Sequence, residues 1–227
     1  MLTLGIETSA RAGSVALVAG DAVLAALQLP AATRSAQSLA PAIGQILSQT
    51  RKQMGEVGLV AATVGPGSFT GLRVGVTTAK TLAYALGCDV LGLDTLDVIA
   101  HQVAGDFGAG QLECVLDAQR AELFVARFEM SPAGPRRLAP NRLVASESWR
   151  AELAPGAVVA GPVLANLVAR LPAGVIVADK STWEPQAATV ARLAAAAHAA
   201  GRRDDLWKLA PAYGRASAAE EKAGRTG

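Results

Sequence analysis

The run Val64-Gly65-Pro66-Gly67-Ser68-Phe69-Thr70-Gly71-Leu72-Arg73-Val74-Gly75 constrains this chain more than any other stretch. An apolar segment, residues 59–64, leads into it, and a helical pattern over residues 72–86 leads out. Glycines packed at a strand-to-helix junction predict a turn whose free N–H groups lie at the positive end of a helix. Such a turn suits an anion or another chain's backbone. Gly65 and Gly67 tolerate φ > 0, Pro66 fixes φ, and Thr70 is placed to be the N-cap. The run carries no Gly-Lys-Ser/Thr and does not fit G-x-G-x-x-G. The loop residues to follow are therefore Gly65, Gly67, Ser68, Phe69, Thr70 and Arg73. Arg73, a cation in a first helical turn, opposes the helix dipole at a cost of a few tenths of a kcal/mol. It is either solvated or answers a carboxylate, with Glu7 or a partner's acid as candidates.

The pattern around this junction repeats its logic. Residues 2–7 read as a first strand, and 14–19 with 22–29 as a hairpin around Gly20-Asp21. Residues 34–51 read as a helix with Leu39, Ile43, Ile46 and Leu47 on one face. A strand over 88–93 and a helix over 96–103 follow. The order β-β-β-α-β-α-β-α predicts a mixed sheet covered by helices, as in a ribonuclease-H-like lobe. The glycine-rich stretch 105–110 is a hinge candidate. Beyond it, 112–116 and 122–128 read as strands, 131–135 as a turn, 146–153 and 163–171 as helices, 175–178 as a strand. Residues 187–200 read as a helix ended by Gly201. The expected organisation is an N-terminal lobe over 1–104, a smaller lobe over 105–206 and a C-terminal segment over 207–227 returning to the first lobe. Its tail from about residue 216 is expected to be disordered.

Composition narrows the function classes. The chain has 227 residues, 51% of them hydrophobic and 18% charged, enough to bury a sizeable core. A net charge of +2 is too mild for nucleic-acid binding by phosphate contacts alone. The basic pairs Arg51-Lys52, Arg136-Arg137 and Arg202-Arg203 have no aromatic residues interleaved and read as solvated surface. Cys88 and Cys114 lack paired spacing, and His101 and His198 lack metal-ligand spacing, so neither a disulfide nor a metal site is expected. No export signal or apolar span is visible, which predicts a cytoplasmic protein. Ser68 sits before a helix as a nucleophile would. But G-x-S-x-G is absent and neither histidine is placed as a base, so Ser68 reads as a cap or brace.

Two helix faces are lined by small residues. Gly71, Gly75, Ala79 and Ala83 form one stripe, and Ala36, Ala40, Gly44 and Ser48 the other. Gly inside a helix costs about 0.5–1 kcal/mol relative to Ala, so each stripe needs a packing reason. That reason is either the chain's own sheet or another subunit.

Four segments together resemble the bacterial TsaB (YeaZ) family of tRNA threonylcarbamoyladenosine synthesis. Gly5-Ile6-Glu7-Thr8-Ser9 is similar to its first phosphate-type loop, usually D-T-S, and residues 65–73 to its G-P-G-S-F-T-G-L-R run. Residues 116–122 resemble its L-D-A-R-R-x-E segment, with Gln119 in place of an Arg, and Pro211-Ala212-Tyr213-Gly214-Arg215 its P-x-Y-x-R. Ser35 stands where many relatives carry His. The resemblance implies two ribonuclease-H-like lobes of the actin/hexokinase/Hsp70 superfamily, an α/β fold with mixed sheets flanked by helices. It implies a cytoplasmic, non-catalytic subunit that stabilises the catalytic paralogue TsaD, in a complex that includes the small ATPase TsaE. TsaD transfers a threonylcarbamoyl group to adenosine 37 of tRNA, and tRNA would be met only through the complex. Relatives pair through helices of the N-terminal lobe, with themselves when alone or with TsaD. The interface set is then Ala36, Ala40, Ile43, Gly44 and Leu47 with Gly71, Leu72, Gly75, Ala79 and Ala83.

An ATPase of this superfamily carries a D-x-G hairpin in its second lobe, and this chain has Asp117-Ala118-Gln119. A Cβ at that third position obstructs a phosphate. The adenosine-side candidate Ala160-Gly161-Pro162 offers one glycine. Glu7, Thr8, Ser9 and Asp117 thus form at most a vestigial nucleotide site. The chain alone is expected to need no cofactor, with any ATP at the complex interface. The alternative is a self-sufficient nucleotide-dependent transferase or ATPase. A third reading is a homodimeric scaffold without tRNA chemistry.

Overall fold

The first strand does form, and its alternation sorts the core of the first lobe. β1 (Leu2–Glu7), β2 (Ser14–Ala19), β3 (Ala22–Gln28), β4 (Val57–Gly65) and β5 (Asp89–Asp94) make a five-stranded sheet in the order β3-β2-β1-β4-β5. β1 to β3 are antiparallel, and β4 and β5 join in parallel. The computed structural model describes residues 1–30, 35–105, 107 and 110–214. Arg34, half of the hinge candidate (residues 106, 108 and 109), Arg215 and the expected disordered tail lie outside them.

Leu4 and Ile6 of β1 and Val60 and Ala62 of β4 face one side. There α1 (Ser35–Thr50) and α2 (Phe69–Leu86) cover them with Ile43, Ile46, Ala79 and Ala83. On the other face Leu59, Ala61, Leu91 and Leu93 meet α3 (Thr95–Val103) and α5 (Ala187–Ala199) through Val98, Val190 and Ala194. By sequence, residues 187–199 fall in the smaller lobe, but α5 lies on the first sheet. Its small residues allow this: Ala187 and Ala191 pack directly on Gly5 of β1.

The second lobe repeats the arrangement. β6 (Gly110–Asp117), β7 (Glu122–Ser131), β8 (Gly134–Arg137), β10 (Val158–Ala160) and β11 (Ile176–Val177) run β11-β10-β6-β7-β8, and β9 (Arg142–Ala145) also pairs with β7. β6 and β7 are antiparallel, while β10 joins β6 in parallel and β11 joins β10 in parallel, so the order matches that of the first lobe. Two ribonuclease-H-like lobes are thus present, although no repeat is visible residue by residue. β8, β9 and β10 are too short to leave a periodic signal. α4 (Ser146–Glu152) docks through Trp149, whose indole donates to the buried Glu113 at 2.8 Å.

Residues 163–171 form two 3-10 turns, Pro162–Asn166 and Val168–Arg170, rather than the expected helix. Pro162 and Pro172 bracket the segment, and a residue before proline is pushed away from helical backbone. Leu164, Leu167 and Leu171 reach the core nonetheless.

α3 binds the lobes together. Val98 faces the first-lobe core, whereas Leu96, Ile99, Ala100 and Val103 belong to the core of the second. A polar latch lies at its start. The Arg137 guanidinium contacts Asp94 Oδ1 at 2.9 Å and Asp97 Oδ1 at 2.8 Å. Asn141 accepts from Arg137 and donates to Asp94 Oδ2 at 2.7 Å.

Candidate functional site

The glycine turn grips the chain's own backbone. Ser68 N–H donates to the Ser9 carbonyl at 2.7 Å, and Thr8 Oγ1 donates to the Gly71 carbonyl at 2.7 Å. A Cβ at Gly71 would overlap the Thr8 carbonyl, and one at Gly75 would overlap Thr8 Oγ1. Gly67, at φ 154°, lies against the Ser9 backbone, where a Cβ would meet the Ser9 carbonyl 2.6 Å away. Ser9 thus takes up the Ser68 donor and, with Thr8, fills the hollows at Gly67, Gly71 and Gly75. The N-cap is Ser68, whose Oγ accepts from Gly71 N–H at 3.2 Å, and not Thr70, which lies inside the helix. A hydroxyl at residue 68 reaches the third helical N–H, whereas one at residue 70 starts too late.

Beneath this clamp sits Glu7, with no accessible surface. Its Oε1 accepts from Ser9 N–H at 2.6 Å, from the Ser9 hydroxyl and from Thr63 Oγ1 at 3.3 Å, while Oε2 has no hydrogen-bond partner among the described residues. Burial pushes its pKa up to about 7, against the pull of the Ser9 and Thr63 hydrogen bonds.

Arg73 does not answer Glu7. Its Nε donates to Tyr213 Oη at 3.0 Å, and its guanidinium lies 4.6 Å from the centroid of Phe69, which stacks on Tyr213 at 4.4 Å. Tyr213 arrives on the C-terminal segment, which hydrogen-bonds to β4 and α2. Ala212 N–H donates to the Val64 carbonyl at 2.6 Å, and Lys80 Nζ donates to the Leu209 and Trp207 carbonyls at 2.8 and 3.2 Å.

The second hairpin is also closed on itself. Asp117 Oδ1 accepts from Gln119 N–H at 2.8 Å, and its Oδ2 from Gln119 Nε2 at 3.2 Å. Gln119, Arg120 and Ala121 all have positive φ, at 66°, 55° and 61°. Arg120 and Ala121 are the central pair of a left-handed turn closed by Glu122 N–H to the Gln119 carbonyl at 3.0 Å. Gly161, at φ 138°, presses on the Val115 carbonyl of β6. The residues read as a vestigial nucleotide site thus face the chain's own atoms. Glu7 is sealed, Thr8 and Ser9 occupy the turn, and Asp117 is engaged.

The two small-residue stripes part company. Gly71, Leu72, Gly75, Ala79 and Ala83 are buried against the chain's own loop and sheet, as are Ile43 and Leu47. They are not available to a partner, because Thr8 needs the space the glycines leave. Ala36, Ala40, Gly44 and Ser48 line the exposed side of α1, and a Cβ at Gly44 would meet nothing within 4 Å.

His198 Nε2 sits 2.6 Å from Asp89 Oδ2, and His101 Nδ1 lies 2.9 Å from the Asp97 carbonyl. Burial pushes both cysteine thiols up, Cys114 the further. Among the described residues no group of three His, Cys, Asp or Glu side chains is placed to hold a metal ion, and no helix is long and apolar enough to cross a membrane.

Residues 30–149 match the model of the family described as TsaD, tRNA N6-adenosine threonylcarbamoyltransferase. The chain is 26% identical over 149 residues to the Bacillus subtilis tRNA threonylcarbamoyladenosine biosynthesis protein TsaB, covering 66% of this chain and 64% of that one. It is 30% identical over 134 residues to the Escherichia coli protein of the same name, covering 59% and 58%. The chain thus spans less than two thirds of the length of these curated relatives. The structure of YeaZ from Pseudomonas aeruginosa superposes with a TM-score of 0.80 at 25% identity, over 93% of this chain and 99% of that one. A P. aeruginosa protein described as similar to peptidase YeaZ superposes equally well, at a TM-score of 0.80 and 26% identity, over 94% and 99%.

Proposed function

The chain belongs to the TsaD family as a TsaB (YeaZ) type member, and from that premise we propose that it is a non-catalytic accessory subunit of tRNA threonylcarbamoyladenosine synthesis, which acts by binding and stabilising a catalytic paralogue. The observation that carries this reading is the closed cradle. Thr8 and Ser9, which would hold a phosphate, are instead packed against the chain's own glycine turn, and Asp117 accepts from Gln119. Ser68 supports it from the side of covalent chemistry: its hydroxyl accepts from Gly71 N–H as a helix cap, and the histidines are held at Asp89 and Asp97. The role requires a docking face rather than a reaction centre.

That face is the exposed side of α1. Ala36, Ala40 and Gly44 let a partner helix approach closely, and among the described residues no side chain fills the space over Gly44. The same face serves a second copy when the catalytic paralogue is absent. The small ATPase TsaE joins through the assembled complex, and the tRNA is modified there, in the cytoplasm.

The test is the mass of mixtures of this chain with the TsaD-type paralogue, measured by light scattering after size exclusion. Wild type should form the heteromeric complex, and Gly44→Arg should stay monomeric with an unchanged circular-dichroism spectrum. Pairing that survives Gly44→Arg removes α1 from the interface. A wild type that does not pair at all overturns the accessory reading.

A further inference from the structure

α2 and the returning C-terminal segment bring together side chains that are scattered in the sequence. At one end Phe69, 39% exposed, stacks on Tyr213 beneath the Arg73 guanidinium. At the other, Tyr84, 67% exposed, meets Trp207, 74% exposed, edge to face at 5.7 Å. Lys80 lies between them on α2, and Lys208 follows Trp207 with an almost fully exposed side chain. Fifteen residues of helix separate Phe69 from Tyr84, roughly 22 Å at about 1.5 Å per residue. The strip carries three cations, Arg73, Lys80 and Lys208. The acid beside them is Asp205, which accepts from the N–H groups of Trp207 and Lys208 and lies 3.6 Å from Lys208 Nζ.

Phe69 is covered by Tyr213 and Arg73, whereas Tyr84 and Trp207 meet only edge to face and stay largely exposed, and the cations beside them favour an anionic occupant. Flat anionic units in series are nucleotides. Five of the six residues in the basic pairs that stand out in the sequence are already paired with acids. Lys52 is paired to Glu56, Arg136 to Glu129, Arg137 to Asp94 and Asp97, Arg202 to Asp204 and Arg203 to Asp89. We infer that the strip from Phe69 and Tyr213 to Tyr84 and Trp207 is a docking surface for single-stranded RNA, with bases stacked on the exposed rings and phosphates beside Arg73, Lys80 and Lys208. This rests on the proposed role in tRNA modification and deepens it, because it gives this subunit its own contact with the RNA. Stacking carries the affinity and the cations are few, so binding has a shallow salt dependence. That agrees with a net charge of only +2.

Trp207 reports on the site directly, since Trp149 and Trp183 are buried. The experiment titrates the whole chain, alone, with an anticodon stem-loop RNA and with oligouridylate at low salt, and follows tryptophan emission. Both RNAs should quench it. Trp207→Phe should abolish the quenching, and Tyr84→Ala should weaken binding about tenfold. Both side chains are exposed, so folding is not at stake. Unchanged wild-type emission, quenching that persists in Trp207→Phe, or wild-type affinity in Tyr84→Ala each overturns the inference. So does emission that responds to the catalytic paralogue but not to RNA, which would make the strip a protein-docking surface. None of these outcomes depends on transfer activity, so the accessory role is tested separately.

Discussion

Glu7 carries the most perturbed carboxylate of the first lobe, and its chemistry sets a pH dependence. Its folded pKa of about 7 lies above the ordinary 4.5, so the folded chain binds this proton more tightly than the unfolded one. The resulting stability is fully present below pH 4.5 and is lost as pH rises to about 7. Above that, the ionised carboxylate costs about 3 kcal/mol, at 1.36 kcal/mol per unit. Glu7→Gln keeps an acceptor for Ser9 and cannot ionise. Urea unfolding should show the variant about 2–3 kcal/mol more stable than wild type near pH 8, with the two converging toward pH 4. A difference that does not change with pH contradicts the assignment. At the same scale, Ala121 is held at φ 61° without being glycine. Ala121→Gly should therefore stabilise the chain by about 1 kcal/mol, read as a raised Tm.

At the scale of elements, two stripes with the same spacing do opposite things. Gly75→Ala drives a methyl into Thr8 Oγ1 and should cost about 2 kcal/mol or more. Gly44→Ala meets nothing and should stabilise α1 by about 0.5–1 kcal/mol. Thermal unfolding of the two variants decides between inward and outward faces, and equal effects would contradict the placement. The sequence could not make this distinction, because periodicity shows that small residues share a face but not what that face meets. The junction itself was legible: apolar strand, glycine turn and helix all follow from local residue chemistry. What Gly71 and Gly75 accommodate was not, since Thr8 lies more than sixty residues away in the chain. The Arg73, Phe69 and Tyr213 stack escaped for the same reason, with 140 residues between its ends. The P-x-Y-x-R resemblance pointed to Tyr213 but could not say where it docks.

At the scale of the molecule, the lobes are one unit because α3 supplies side chains to both cores and the Arg137 latch spans the boundary. Calorimetry should show a single unfolding transition, which Arg137→Ala lowers by about 1–2 kcal/mol without splitting it. Two separated transitions would contradict a shared core. Strand order made the duplicated architecture plain, whereas the sequence allowed it only by resemblance, because β8 to β11 are short. The role proposed for a molecule so joined is to support a partner's chemistry. The most direct measurement is reconstitution of tRNA modification. The chain, the TsaD-type paralogue, the small ATPase, ATP, threonylcarbamoyl-adenylate and tRNA are combined, each protein is omitted in turn, and modified adenosine is counted. Modification that requires this chain, while the chain alone neither hydrolyses ATP nor modifies tRNA, is the predicted result. Transfer or ATP turnover by the chain alone would contradict it.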